Sequence, residues 1–209
     1  MDKQYIDLNT YPRREHFAYF SSLQNPTMGA TVQVDVTEFL KTLEERRYPF
    51  FLSFLYVVAE TANSVRELRQ RIEKGSIVEY DYCKPSCTVM KSDGTYAYCT
   101  LDGRMPFETF LREGRERMEQ AKAGGGLTES EDVASEIFVS CLPWMNYTAL
   151  VQPMGVPADS NVRITWGRYT WNGGRAVIPV TFLAHHALVD GLHMGQFFMR
   201  LDEKLKNFW

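Results

Sequence analysis

The 209-residue sequence has no CxxC pair among its four cysteines, Cys83, Cys87, Cys99 and Cys141, so no zinc ribbon or dithiol centre is written into it. Cys83 and Cys87 are spaced loosely like metal ligands, but no second matching pair follows. Four reduced thiols, mostly buried, are the expectation. Long apolar runs are also missing. The longest, FFLSFLYVVA at 50–59, is far too short to span a bilayer. The opening MDKQYIDLNT lacks the basic and apolar regions of a signal peptide. Positive charge is not in excess: the formal net charge of −3 leaves no broad basic footprint for nucleic acid. There is no Walker loop and no GxGxxG to cradle phosphates. No repeat, low-complexity tract or long linker divides the chain. Hydrophobic residues make up 44% and charged residues 23%, ordinary globular usage with enough apolar surface for a sizeable core. These omissions together predict one soluble, cytoplasmic domain over 1–209 that uses no metal, membrane or nucleic acid.

The residues that are present alternate between two periods. YPRREHFAYF (11–20) carries Pro12 at a helix start. ATVQVDV (30–36) sets Val32, Val34 and Val36 on one face of a strand, and Thr37 is placed to cap the helix EFLKTLEERR. Pro49 ends that helix, and 51–72 read as one or two packed helices. SIVEYDY, PSCTVMK and YAYCTL read as strands, the last two joined by the turn SDGT. Pro106 opens an amphipathic helix to about Lys122, and GGG (124–126) ends it before a polar loop. SEIFVSCL (135–142) and VRITWGRYTW (162–171) are predicted strands, and NGG turns the chain into the apolar strand RAVIPVTFLAHH (175–186). Leu192 to Phe208 forms a closing helix. Mixed order with hairpins predicts an α/β (α+β) two-layer sandwich: a mixed, largely antiparallel sheet with helices packed on it.

Three of the four histidines, His185, His186 and His193, fall within TFLAHHALVDGLHMGQFF (181–198). Neighbouring strand residues face opposite ways, so only one of His185 and His186 readily faces a given cleft, and the two do not easily chelate one ion. Histidine is the usual general base near neutral pH. A satisfied structural histidine is the plain alternative. In VDG, Gly191 offers a conformation other residues resist, and Asp190 is placed to orient the histidine loop or accept an ion pair.

HHALVDGLH resembles the HHxxxDG signature of the chloramphenicol acetyltransferases. More distantly it is similar to the catalytic domains of dihydrolipoamide acyltransferases and to the condensation domains of peptide synthetases. Condensation domains are much larger, and lipoamide enzymes ordinarily carry lipoyl and linker segments upstream, so length favours the first. YPRREHF (11–17) resembles the family's N-terminal segment, VSCLPW (139–144) its Ser-x-x-Pro-Trp strand, and ITWGRY (164–169) its Thr-x-x-Lys-Tyr strand with Arg168 for lysine. The segments occur in the family's order, over about residues 5 to 206.

The resemblance implies an acetyl-CoA-dependent O-acetyltransferase with chloramphenicol as acceptor. His186 would be the base and His185 structural. Asp190 would pair with Arg13 to hold the base's loop. Ser140 would donate to the oxyanion, and Thr165 would hold a water. Tyr19 and Phe20 would line the acceptor pocket, while Arg168 and Tyr169 would meet CoA. It also implies a homotrimer with each site between two subunits. His193 receives no role. Leu183, Ala184, Val189 and Leu192 depart from frequent family residues, and Leu183 leaves the acceptor open. The alternatives are the same chemistry on another hydroxyl compound, and a non-catalytic ligand-binding or assembly protein on this fold.

Overall fold

Valines and threonines alternate along TMGATVQVD, and this stretch forms the long strand β2 (Thr27–Asp35). It pairs antiparallel along its whole length with β10 (Arg175–His185), the most apolar strand. The computed structural model describes residues 1–127 and 132–208. The main sheet runs β2-β10-β8-β7-β5-β6, with β5 Lys84–Met90, β6 Tyr96–Thr100, β7 Glu136–Cys141 and β8 Arg163–Trp166; short β9 (Thr170–Asn172) extends the pairing with β10. The β5–β7 and β7–β8 pairs are parallel and the others antiparallel. This is the mixed, largely antiparallel sheet expected from the sequence.

Helices cover one face. Along β10 the residues of one parity, Val180, Phe182 and Ala184, are buried. Phe182 meets Phe197 of α5 (Gly191–Lys206), and Trp166 packs on Phe51 and Phe54 of α3 (Phe50–Ser64). Each such buried ring contributes about 1.5–3 kcal/mol. Across the sheet Thr31, Thr181, Thr165 and Ser140 stand in one row, so they share the other face. The Thr31 and Thr181 hydroxyls are 2.7 Å apart. The first helix, α1 (Arg14–Ser21), begins two residues after Pro12. α2 is Thr37–Arg46, and α4 is Phe107–Gly124, starting just after Pro106 as the proline predicts. The polar loop read after GGG falls largely on 128–131, outside the described residues.

Several expectations are corrected. Thr37 is the first residue of α2, not its cap; the Asp35 carboxylate accepts from its amide at 2.9 Å and its hydroxyl at 2.6 Å. The helical reading of 51–72 fails at its end, because residues 70–73 are a strand, β3. Buried Arg71 is there held by carbonyls of Leu68, Gln70, Ala134 and Glu136, contacts a helix would not reach. The predicted strand SIVEYDY is β4 (Ser76–Tyr80), but it joins a separate sheet, β1-β4-β3, with β1 (Lys3–Ile6).

The segment 162–171 is two strands rather than one. Trp166 is opposite Val180, but Thr170 is opposite Val177, so one extra residue bulges out over 167–169. Gly167 permits it: a Cβ there would lie 2.6 Å from the Met145 carbonyl oxygen and 2.8 Å from Pro179. Pro179 lies opposite, and its missing amide hydrogen falls on the bulged side, where no ladder bond is lost. Gly173 and Gly174, both with positive φ, make the two-residue β9–β10 hairpin turn.

Candidate active site

β10 ends at His185, and His186 is the first residue of the turn beyond it. The His186 amide donates to the Pro26 carbonyl at 2.8 Å, which ties the turn to the start of β2. Its ring stacks on Phe20 of α1, with centroids 3.7 Å apart and planes 25° apart. Its Nδ1 is 3.0 Å from the Val189 carbonyl oxygen. A carbonyl only accepts, so Nδ1 carries a proton, and in the neutral ring the lone pair is on Nε2. His185 is buried in different surroundings, its Nδ1 accepting from the Ala187 amide at 3.3 Å. Burial lowers its pKa, while nearby Asp159 opposes the shift.

Asp190 caps α5. Its carboxylate accepts from the Leu192 amide at 2.9 Å and forms an ion pair with Arg13 at the start of α1. Burial acts to raise this carboxyl, but the Arg13 ion pair and the Leu192 amide prevail and hold it below the ordinary carboxylate value. Gly191 does not adopt the left-handed conformation suggested for it. It is the first residue of α5, and a Cβ there would meet open space.

Ser140 and Thr165 lie side by side in the parallel β7–β8 pair, on the sheet face away from the helices. Ser140 is half-buried, and among the described residues its hydroxyl has no protein hydrogen bond. It faces a cavity of ≈ 1510 Å³, also lined by Phe138, Gln152, Arg163, Arg168 and Tyr169. Thr165 is buried, and its hydroxyl accepts from Gln152 Nε2 at 3.1 Å, a partner the sequence did not indicate. The bulge carries Arg168 and Tyr169, both exposed, to the cavity rim. Cys141 also lines the cavity, its thiol pushed up to about 11 by burial.

The predicted residues therefore form two groups. Arg13, Phe20, His186 and Asp190 are together at one end of β10, and Tyr19, largely exposed, meets Phe20 edge-on. Ser140, Thr165, Arg168 and Tyr169 belong to the cavity. His186 is not among the residues lining it. Ser140 is in register with Thr165 and Thr165 with Thr181, while His186 lies five residues further on. At about 3.3 Å per residue and 4.8 Å per strand, the His186 and Ser140 Cα atoms of one chain are roughly 19 Å apart.

One residue of the first group had no assigned role. His193 is buried, and its Nδ1 accepts from the Asp190 amide at 3.1 Å, completing a capping box at the start of α5. Its Nε2 faces Glu67 at 3.8 Å. The D-x-x-H spacing, an N-cap and its third helical residue, was the available signal. Cys83 and Cys87 are not brought together. Cys83 accepts from Arg71 at 3.3 Å, whereas Cys87 is opposite Cys99.

The sheet with helices on one face is the fold of acetyltransferases of known structure. In fold alone the chain is similar to a dihydrolipoamide acetyltransferase of Azotobacter vinelandii (TM-score 0.68, 16% identity, 91% of this chain and 85% of that one). A solved chloramphenicol acetyltransferase superposes with a TM-score of 0.89 at 26% identity, over 98% of this chain and 100% of that one. A chloramphenicol acetyltransferase of Klebsiella sp is 27% identical over 202 residues, 95% of this chain and 91% of that protein. The chain belongs to the chloramphenicol acetyltransferase family, whose family model matches residues 1–202. Among the described residues no helix is long and apolar enough to cross a membrane.

Proposed function

We propose that the protein is an acetyl-CoA-dependent O-acetyltransferase that acetylates a hydroxyl of chloramphenicol, with His186 as general base. The observation that carries this reading is the His186 Nδ1–Val189 carbonyl contact, which leaves Nε2 as a lone pair. Acetyl-CoA supplies the acetyl group as a thioester. His186 Nε2 takes the proton of the acceptor hydroxyl while that oxygen bonds to the thioester carbonyl carbon. Ser140 donates its hydroxyl hydrogen to the carbonyl oxygen as negative charge develops there, a contribution of about 3–4 kcal/mol for one such donor. When the carbon–sulfur bond breaks, His186 returns the proton to the sulfur. The products are an acetyl ester and free CoA thiol, with no net proton gained or lost.

Each remaining residue has a part. Asp190 and Arg13 hold the turn that aims His186. Thr165, whose hydroxyl hydrogen is still available after accepting from Gln152, holds a water beside Ser140. Tyr19 and Phe20 form the wall of the acceptor pocket next to the base. The exposed Arg168 guanidinium, with Tyr169, receives CoA at the cavity rim, where a planar cation suits a phosphate. The distance between His186 and Ser140 in one chain supports a site built from two copies. The base of one copy meets the Ser140 cavity of the next, as a homotrimer would provide. Free thiols are in keeping with a cytoplasmic setting.

Release of free thiol from acetyl-CoA, measured with chloramphenicol and with a panel of other alcohols, tests the proposal. Turnover of chloramphenicol is the expected result. Turnover only with other alcohols would keep the chemistry and replace the acceptor. No turnover with any acceptor would leave a non-catalytic binding or assembly role.

A further inference from the structure

His193 and His186 meet the same peptide group from opposite sides. The carbonyl of Val189 and the amide of Asp190 belong to one peptide bond. His186 Nδ1–H donates to that carbonyl at 3.0 Å, and that amide donates to His193 Nδ1 at 3.1 Å. We infer that His193 is a positioning residue for the acyl transfer: through the Val189–Asp190 peptide it fixes the orientation and tautomer of His186. The inference rests on His186 being the base.

The physical reasons are specific. To accept from the Asp190 amide, His193 Nδ1 must be bare, so its proton sits on Nε2, toward the Glu67 carboxylate 3.8 Å away. Hydrogen bonds in series polarise one another, so an acceptor on the amide makes the Val189 oxygen a better acceptor for His186. A better acceptor there favours the Nδ1–H tautomer of His186, the one with Nε2 free for the substrate proton. His193 is held for this task. It is buried at the third position of α5, where the same Nδ1 meets the Asp190 amide at 3.1 Å and the Asp190 carboxylate oxygen Oδ1 at 3.0 Å, so the location of its proton is what the test reads; Asp190 is itself tied to Arg13. The helix start, the ion pair and the base thus share one peptide plane.

The test is nitrogen-15 NMR of histidine-labelled protein, with steady-state kinetics on His193→Phe and His193→Asn. Phenylalanine keeps the ring volume and removes the acceptor. The asparagine side-chain oxygen restores an acceptor close to the position of Nδ1. In the wild type, His186 is expected with its proton on Nδ1 and His193 with its proton on Nε2. In His193→Phe, His186 becomes a mixture of tautomers and kcat falls on the order of tenfold or more, while both KM values stay within about twofold. His193→Asn recovers most of the loss. A wild-type His193 protonated on Nδ1 would overturn the inference without any variant being made. An unchanged His186 spectrum in His193→Phe would overturn it as well, whatever happens to kcat. Failure of the underlying reading looks different: His186→Ala would then retain turnover.

Discussion

At the level of single residues, the site depends on one imidazole held at three points: its amide on Pro26, its ring on Phe20 and its Nδ1 on Val189. His186→Ala is predicted to lose turnover while the melting temperature stays close to that of the wild type, because the ring is only half-buried; thiol release and thermal unfolding check this. Asp190→Asn removes the partner of Arg13. A fully buried pair would lose about 3–5 kcal/mol, but these side chains are 17% and 29% exposed, so about 1–3 kcal/mol is expected. The pH dependence has a definite sign. The Asp190 carboxyl is held below its ordinary value of 3.8, so its stabilisation is present above that value and is lost as pH falls through the folded-state pKa. Urea unfolding of wild type and Asp190→Asn should therefore differ at neutral pH and converge in strong acid. The Arg13–Asp190 pair was legible only through the family resemblance, which matches YPRREHF and HHALVDG to two separate family segments. The stacking of Phe20 and the Gln152–Thr165 bond were not, because both depend on segments that meet only in the fold.

At the level of elements, the β8–β9 bulge converts an ordinary strand into a rim. In the sequence, ITWGRYTW reads as one uninterrupted strand, because bulging changes the register with β10 and leaves the local pattern intact. The β9–β10 hairpin was legible, since two glycines with positive φ have a strong local signature. β3 was not, because buried Arg71 finds its acceptors in distant segments. Gly167→Val should destabilise the protein by roughly 1–3 kcal/mol, since its Cβ would press on the Met145 carbonyl and Pro179. The same change should raise the KM for acetyl-CoA by displacing Arg168. Arg168→Ala should raise that KM with little change in kcat or melting temperature. Equal KM values in Arg168→Ala and wild type would remove CoA binding from the rim.

At the level of the whole molecule, the decisive feature is separation. The sheet carries His186, the proposed base, at one end of β10 and Ser140, the proposed oxyanion donor, two strands across and five residues back, roughly 19 Å apart at ordinary strand spacings. Sequence order gave no sign of this distance, since it follows from register across three strands. If His186 is the base and Ser140 the oxyanion donor, as proposed, a chain built this way acts only when copies associate, and the measurement that tests this most directly is complementation. His186→Ala and Ser140→Ala are purified separately, each with little or no activity, then unfolded together, refolded in equal amounts and assayed for thiol release. Mixed oligomers contain interfaces that join an intact His186 to an intact Ser140, so activity should return, in about a quarter of the sites for random assembly. Activity no greater than the average of the two separate variants would contradict a site shared between copies.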